Sequence, residues 1–149
     1  MAAISARWFW ICEAVKMNVV PPTVPRIDSP TFLVLAYDIA DSAKALALRD
    51  EHMEGHLGHM EANWTRYVSA GPMRTDDGKG YLGSMFLLKA ANRADVDALM
   101  IGDPYFRSGL YDRVEVVPAV VAIGTAIGGR IWAGADQLKG APATVVSKG

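Results

Sequence analysis

The chain has 149 residues, a formal net charge of −1 and acidic and basic side chains in near balance. That length holds one domain with extra segments, and the mixed charge supplies neither a basic field for nucleic acid nor a polybasic patch for a membrane surface. A single cysteine, Cys12, excludes an internal disulfide framework and fits a reducing compartment, so a cytoplasmic location is expected.

The opening run Trp8-Phe9-Trp10-Ile11-Cys12 is apolar, but Glu13 and Lys16 interrupt it far below the length of a membrane span. With no small-residue cleavage site evident, it reads as neither a signal peptide nor an anchor. Ile4, Trp8, Ile11 and Val15 recur at helical spacing, which predicts a short amphipathic helix; the alternative is that Met17 is the biological start. Pro21, Pro22, Pro25 and Pro30, with Asp28 and Ser29, make residues 20–30 an extended linker, because proline lacks a donor and restricts the residue before it. Residues 1–30 are therefore an N-terminal extension and linker, and residues 31–123 are the expected domain. Residues 124–149 are expected to form an arm lying on the domain or its partner, with the last ten residues disordered.

Residues 31–37, TFLVLAY, form a near-continuous apolar run and predict a strand buried on both faces. Asp41 or Ser42 caps a helix over residues 43–63, where Leu46, Met53, Leu57 and Met60 recur, although Gly55 and Gly58 weaken it locally. Residues 66–70 predict a second strand ended by Gly71-Pro72. Residues 75–80 carry turn chemistry through Asp76, Asp77 and Gly78, and residues 83–89 return as a third strand. Asn92 caps a second helix over residues 93–101, Gly102 closes it, and the Val-rich residues 111–123 make a fourth strand interrupted at Pro118. The order β-α-β-β-α-β describes an α+β, ferredoxin-like fold with an antiparallel sheet and helices on one face. The other face is bare unless covered, and two copies packed face to face bury both, so a homodimer is expected.

All three histidines lie on the first predicted helix. His52, His56 and His59 are four and three residues apart and project within about 60° of one another. Imidazole titrates near neutral pH, so this face is a candidate for proton transfer or metal binding, although a single helical histidine is more often a packing or surface residue than a catalyst. Three imidazoles from one rigid helix rarely converge on one ion, and no Cys or HExxH pattern helps. A histidine-face metal site is therefore only the third reading, and no metal or cofactor is expected. No phosphate-binding glycine loop is present, and no nucleophile stands out: Cys12 lies outside the domain, and Ser84 reads as a donor to an anion or a turn residue.

His56-Leu57, Ala70-Gly71-Pro72-Met73, Asp77-Gly78, Gly83-Ser84, Asp103-Pro104-Tyr105 and Gly109-Leu110 follow one another on this element pattern. In that order they resemble the YciI-like (YCII-related) family of small dimeric α+β-barrel proteins, over roughly residues 32–123. The resemblance implies an active site with a histidine from the first helix and an aspartate near the connection of the second and third strands. Some relatives act on cyclic or chlorinated metabolites of aromatic breakdown, and muconolactone isomerase shares the fold. On that resemblance His56 is the first choice and Asp77 its partner, while Arg49-x-x-His52 also matches an Arg-x-x-His form of the motif and keeps His52 as the alternative.

A histidine–aspartate pair is a general acid/base unit that needs no cofactor, because the carboxylate fixes the imidazole tautomer. Asp77 in an Asp-Gly pair is equally an ordinary turn residue, and Asp103-Pro104 commonly opens a turn. Tyr105 and Ser84 are candidate pocket residues, Arg74 a candidate anion contact, and His59 a further substrate contact on the imidazole face. The expected function is a cofactor-independent lyase, isomerase or hydrolase acting on a small cyclic or anionic metabolite. The alternative is a non-catalytic dimeric ligand-binding or scaffold protein, favoured if core side chains fill the space between helix and sheet.

Overall fold

The computed structural model describes residues 20–139; the predicted helix over residues 4–15, Cys12 and the last ten residues lie outside them. In chain order the elements are β1 (Thr31–Asp38), α1 (Ser42–Ala62), β2 (Tyr67–Arg74), β3 (Tyr81–Lys89), α2 (Arg93–Ile101), α3 (Pro104–Arg107) and β4 (Tyr111–Ala119). Two short strands, β5 (Ile123–Gly124) and β6 (Gly129–Arg130), then pair with each other. Among the described residues no helix is long and apolar enough to cross a membrane.

The four long strands form one antiparallel sheet in the order β2-β3-β1-β4. β1 is central, hydrogen-bonded along both edges, but only one of its faces is fully buried, not both as its apolar run predicts. β1 and β2 run parallel with β3 between them, and this split β-α-β unit is the ferredoxin-like α+β arrangement. Phe32, Val34 and Ala36 of β1 and Phe86 and Leu88 of β3 alternate inward and pack on Val96, Leu99 and Met100 of α2 and on Met60 of α1. The intervening Leu33, Leu35, Met85 and Leu87 pair across the two strands and are only half-buried, so the opposite face of the sheet is apolar and open.

Local chemistry explains the helix boundaries. The Asp41 side chain accepts from the N–H of Lys44 to start α1, and Asn92 accepts from the N–H of Asp95 to start α2. Three elements differ from the sequence expectation. β2 runs on through Gly71 and Pro72 to Arg74, and β4 contains Pro118 without interruption but stops at Ala119. Both are edge strands, where a proline is tolerated because half of the backbone groups have no ladder partner. The Asp103-Pro104 step opens a helical turn, α3: Asp103 is its N-cap, and Pro104 sits where no N–H is needed.

Two glycines permit close approaches that shape the site. A Cβ on Gly83 would lie 2.0 Å from the carbonyl oxygen of Ala36, so only glycine lets β3 meet β1 at that point, immediately before Ser84. A Cβ on Gly55 would lie 3.0 Å from the Pro104 ring, so this glycine lets α3 sit close beneath α1.

Candidate active site

Arg49 and His56 are separated by seven residues on α1, two helical turns, and so face the same way. With Met53, Leu57 and Met60 they form one wall of a cavity of about 310 Å³. Ala70, Gly71 and Pro72 of β2, Tyr81, Ser84 and Phe86 of β3, and Tyr105 of α3 complete it. The space between helix and sheet is thus not filled by core side chains.

His56 Nδ1 lies 2.8 Å from Oδ2 and 3.0 Å from Oδ1 of Asp103. Asp103 is completely buried, and its Oδ1 also accepts from the backbone N–H of Tyr105 at 3.0 Å. A carboxylate only accepts, so the network assigns the hydrogen to Nδ1 and leaves Nε2 of the neutral ring with its lone pair. Tyr105 stacks on the imidazole with centroids 4.0 Å apart and planes within 10°. Its hydroxyl donates to the carbonyl oxygen of Arg49 at 3.1 Å, which ties α3 to α1. Burial raises the Tyr105 phenol above its ordinary pKa.

At the other end of the cavity the Arg49 side chain is 6% exposed and makes a two-pronged contact with Asp38, Nε to Oδ2 at 2.9 Å and Nη2 to Oδ1 at 2.7 Å. Burial works against the guanidinium charge, but the hydrogen bonds and charge of Asp38 outweigh it, and the Arg49 pKa is raised. Nη2 also lies 3.4 Å from Ser84 Oγ, which accepts from the Tyr111 hydroxyl at 2.9 Å. The Tyr81 ring lies 4.6 Å from the Arg49 guanidinium carbon, a cation–π distance. Burial pushes the Tyr111 phenol far above its usual range.

The structure separates the residues expected to act together. Asp77 is exposed on the β2–β3 hairpin, where its carboxylate accepts from the Thr75 hydroxyl at 2.6 Å and the Lys79 N–H at 3.0 Å. The Thr75 hydrogen bond holds the Asp77 carboxyl below its ordinary pKa. It makes no hydrogen bond to His56, whose carboxylate partner is Asp103 instead. The hairpin turns its aspartate back on its own backbone, whereas the α3 cap lies directly against α1.

His52 is half-exposed, with Nε2 3.9 Å from Glu51, and is not among the cavity-lining residues. His59 packs against Gly102, and its buried Nε2 has no hydrogen-bond partner among the described residues. No cluster of three metal-binding side chains exists among the described residues, so the three imidazoles do not form a metal-ligand set there. Arg74 donates to the Gly78 carbonyl oxygen at 2.6 and 3.2 Å and rests on the Tyr81 ring at 4.4 Å, outside the set that lines the cavity. Ser84 and Tyr105 do line it.

The sequence pattern pairs the histidine with Asp77 and not with Asp103, offers Arg49 only within the Arg-x-x-His motif, and does not mark Asp38 or Tyr111 as site residues. An aspartate directly before proline is also a helix-capping signature, and it was the available clue to α3.

The YCII-related domain family model matches residues 31–120. No curated protein sequence matches the chain. Among solved structures the chain is similar to the 5-chloro-2-hydroxyhydroquinone dehydrochlorinase of Burkholderia phenoliruptrix, determined in complex with 2,5-dihydroxybenzoquinone. The two are 23% identical with a TM-score of 0.53, over 64% of this chain and 96% of that one, a likeness that shows the fold. The matched residues 31–120 contain the whole four-stranded sheet, α1, α2 and α3, and the chain belongs to the YCII-related domain family.

Proposed function

We propose that the protein is a cofactor-independent lyase or isomerase acting on a small, hydroxylated cyclic metabolite, with His56 as general base and acid and Asp103 as the residue that orients it. The observation that carries this reading is the His56–Asp103 contact of 2.8 Å at the wall of a cavity of about 310 Å³. In the neutral ring Nε2 is the nitrogen able to take a proton from substrate, while Asp103 keeps Nδ1–H in place and balances the imidazolium formed midway. Returning the proton to a different atom completes an isomerisation; returning it to a departing group completes an elimination. Met53, Leu57, Met60 and Phe86 give the cavity apolar walls suited to a hydrocarbon ring.

The dehydrochlorinase supports this choice of substrate class, since it is a lyase of the same fold that binds a one-ring quinone. The unfilled cavity favours a ligand-handling role over a scaffold. The homodimer belongs to the same reading: Leu33, Leu35, Met85 and Leu87 offer an apolar sheet face for a second copy. Sedimentation at micromolar concentration should give a dimer, and a well-folded monomer would remove that part.

A panel of chlorinated and non-chlorinated one-ring hydroquinones, followed by chloride release and ring absorbance, tests the reaction. His56→Ala and Asp103→Asn should each lower kcat/KM by about 10²–10⁴-fold, whereas His52→Ala and Asp77→Asn should retain wild-type turnover. Undiminished turnover in His56→Ala would defeat the reading.

A further inference from the structure

Ser84 Oγ is a hydroxyl with one hydrogen and two lone pairs, and the groups around it define how these are used. The Arg49 guanidinium is donor-only and approaches Oγ through Nη2 at 3.4 Å, and the Tyr111 hydroxyl donates to it at 2.9 Å. If Ser84 instead donated to Tyr111, the tyrosine hydrogen would have no acceptor among the described residues. The Ser84 hydrogen is therefore free of protein partners, and Ser84 is 4% exposed and lines the cavity. Arg49 lines the same cavity, and its Nη1 has no partner among the described residues, Nε and Nη2 being committed to Asp38. Both residues that carry an unused donor thus border the one cavity.

We infer that Ser84 Oγ–H and Arg49 Nη1 form an oxyanion site for the substrate oxygen on which charge develops as His56 removes a proton. This rests on the acid/base reading of His56 and names the substrate more closely: a phenol, enol or ketone whose oxygen is conjugated to the reacting position. Donors fixed in advance around a developing oxyanion act without reorganising at the moment of reaction, and losing one typically costs about 10²–10³-fold in kcat. Two donors directed at Oγ make Ser84 a stronger hydrogen-bond donor and a poorer nucleophile, which argues against acyl transfer. Asp38 compensates much of the Arg49 charge, so the site suits one oxygen with a single developing charge and not a phosphate. Along α1 seven residues span about 10 Å, so this oxygen and the proton taken by His56 lie at opposite ends of a one-ring molecule.

The experiment uses 4-nitrophenol, which ionises near neutral pH and changes colour as its phenolate, so the bound form is read without any turnover. With the wild-type full chain, the bound phenol should ionise about one pH unit lower than the free one, because hydrogen bonds to the anion favour it. Ser84→Ala should abolish most of that shift, Ser84→Cys should do the same with the side-chain volume nearly kept, and His56→Ala should leave it in place. Thermal melts identify which variants are folded. The inference is overturned if wild type shows no downward shift, whether through lack of binding or through binding of the neutral phenol. It is also overturned if the shift survives in the folded Ser84 variants, or if it vanishes in His56→Ala, which would assign the anion to the imidazolium. A Ser84-dependent shift in a protein that turns over no member of the hydroquinone panel would retain the oxyanion site and remove the acid/base function.

Discussion

Asp77 and Asp103 are both aspartates at tight reversals of the chain, and both use the carboxylate to accept from a nearby backbone N–H. They end in opposite surroundings. Asp77 stands in solvent on a two-strand hairpin, and its remaining hydrogen bond comes from Thr75, two residues away. Asp103 caps a helical turn that packs under α1, is wholly buried, and spends its remaining accepting capacity on His56. The same local device is thus a turn in one place and part of a candidate catalytic pair in the other, and what differs is the element overhead.

The largest effect is expected at a third carboxylate, which shows what burial does to a charge. Asp38→Ala leaves the 6% exposed Arg49 side chain without its counter-charge and should lower the unfolding free energy by about 3–5 kcal/mol in denaturant titration. Asp38→Leu combined with Arg49→Met should restore most of that loss, because the unpaired charge goes with its partner. Asp103→Ala comes next, at about 1–3 kcal/mol, since His56 Nδ1–H and the Tyr105 N–H both lose a buried acceptor. Asp77→Ala, measured in the same titration, should change stability by no more than about 0.5 kcal/mol. Equal losses for the Asp77 and Asp103 variants would break the comparison.

Alkaline titration gives a smaller, pH-resolved effect. Burial raises the Tyr67 phenol from 10.0 to about 12, with the Asp103 charge adding to it, and its buried hydroxyl has no hydrogen-bond partner among the described residues. A raised folded-state value means that the contribution is fully present below the unfolded value. Stability should fall as pH rises from about 10 toward about 12, where the unfolded chain sheds the proton that the folded chain retains. Tyr67→Phe should flatten this alkaline decline in thermal melts while leaving neutral-pH stability within about 1 kcal/mol of wild type. An unchanged alkaline slope would place the titrating group elsewhere, with Tyr111, whose phenol is shifted in the same direction, as the next residue to replace.

Much of the architecture could be read from local pattern. The apolar run that became β1, the caps Asp41 and Asn92, and the helix over Arg93–Ile101 all follow from interactions within a few residues. Pro72 and Pro118 do not end their strands, because a proline ends a central strand but not an edge strand, and edge position is a property of the sheet order. Single residues of the site were legible, but not their pairing. His56 and Ser84 carried visible signals, whereas His56 meets Asp103 across 47 residues of sequence and Arg49 meets Ser84 across 35.

By itself, then, the sequence determined the four long strands and the two long helices, their order, and that one helix face carries ionisable groups, since backbone propensity, capping and periodicity act over a few residues. The tertiary structure decided which aspartate holds the histidine, which arginine reaches the cavity and which hydroxyl has a hydrogen to spare. Those outcomes depend on which side chains burial brings together, and a buried polar group must be satisfied by whatever the packing places beside it, however far away it lies in the chain.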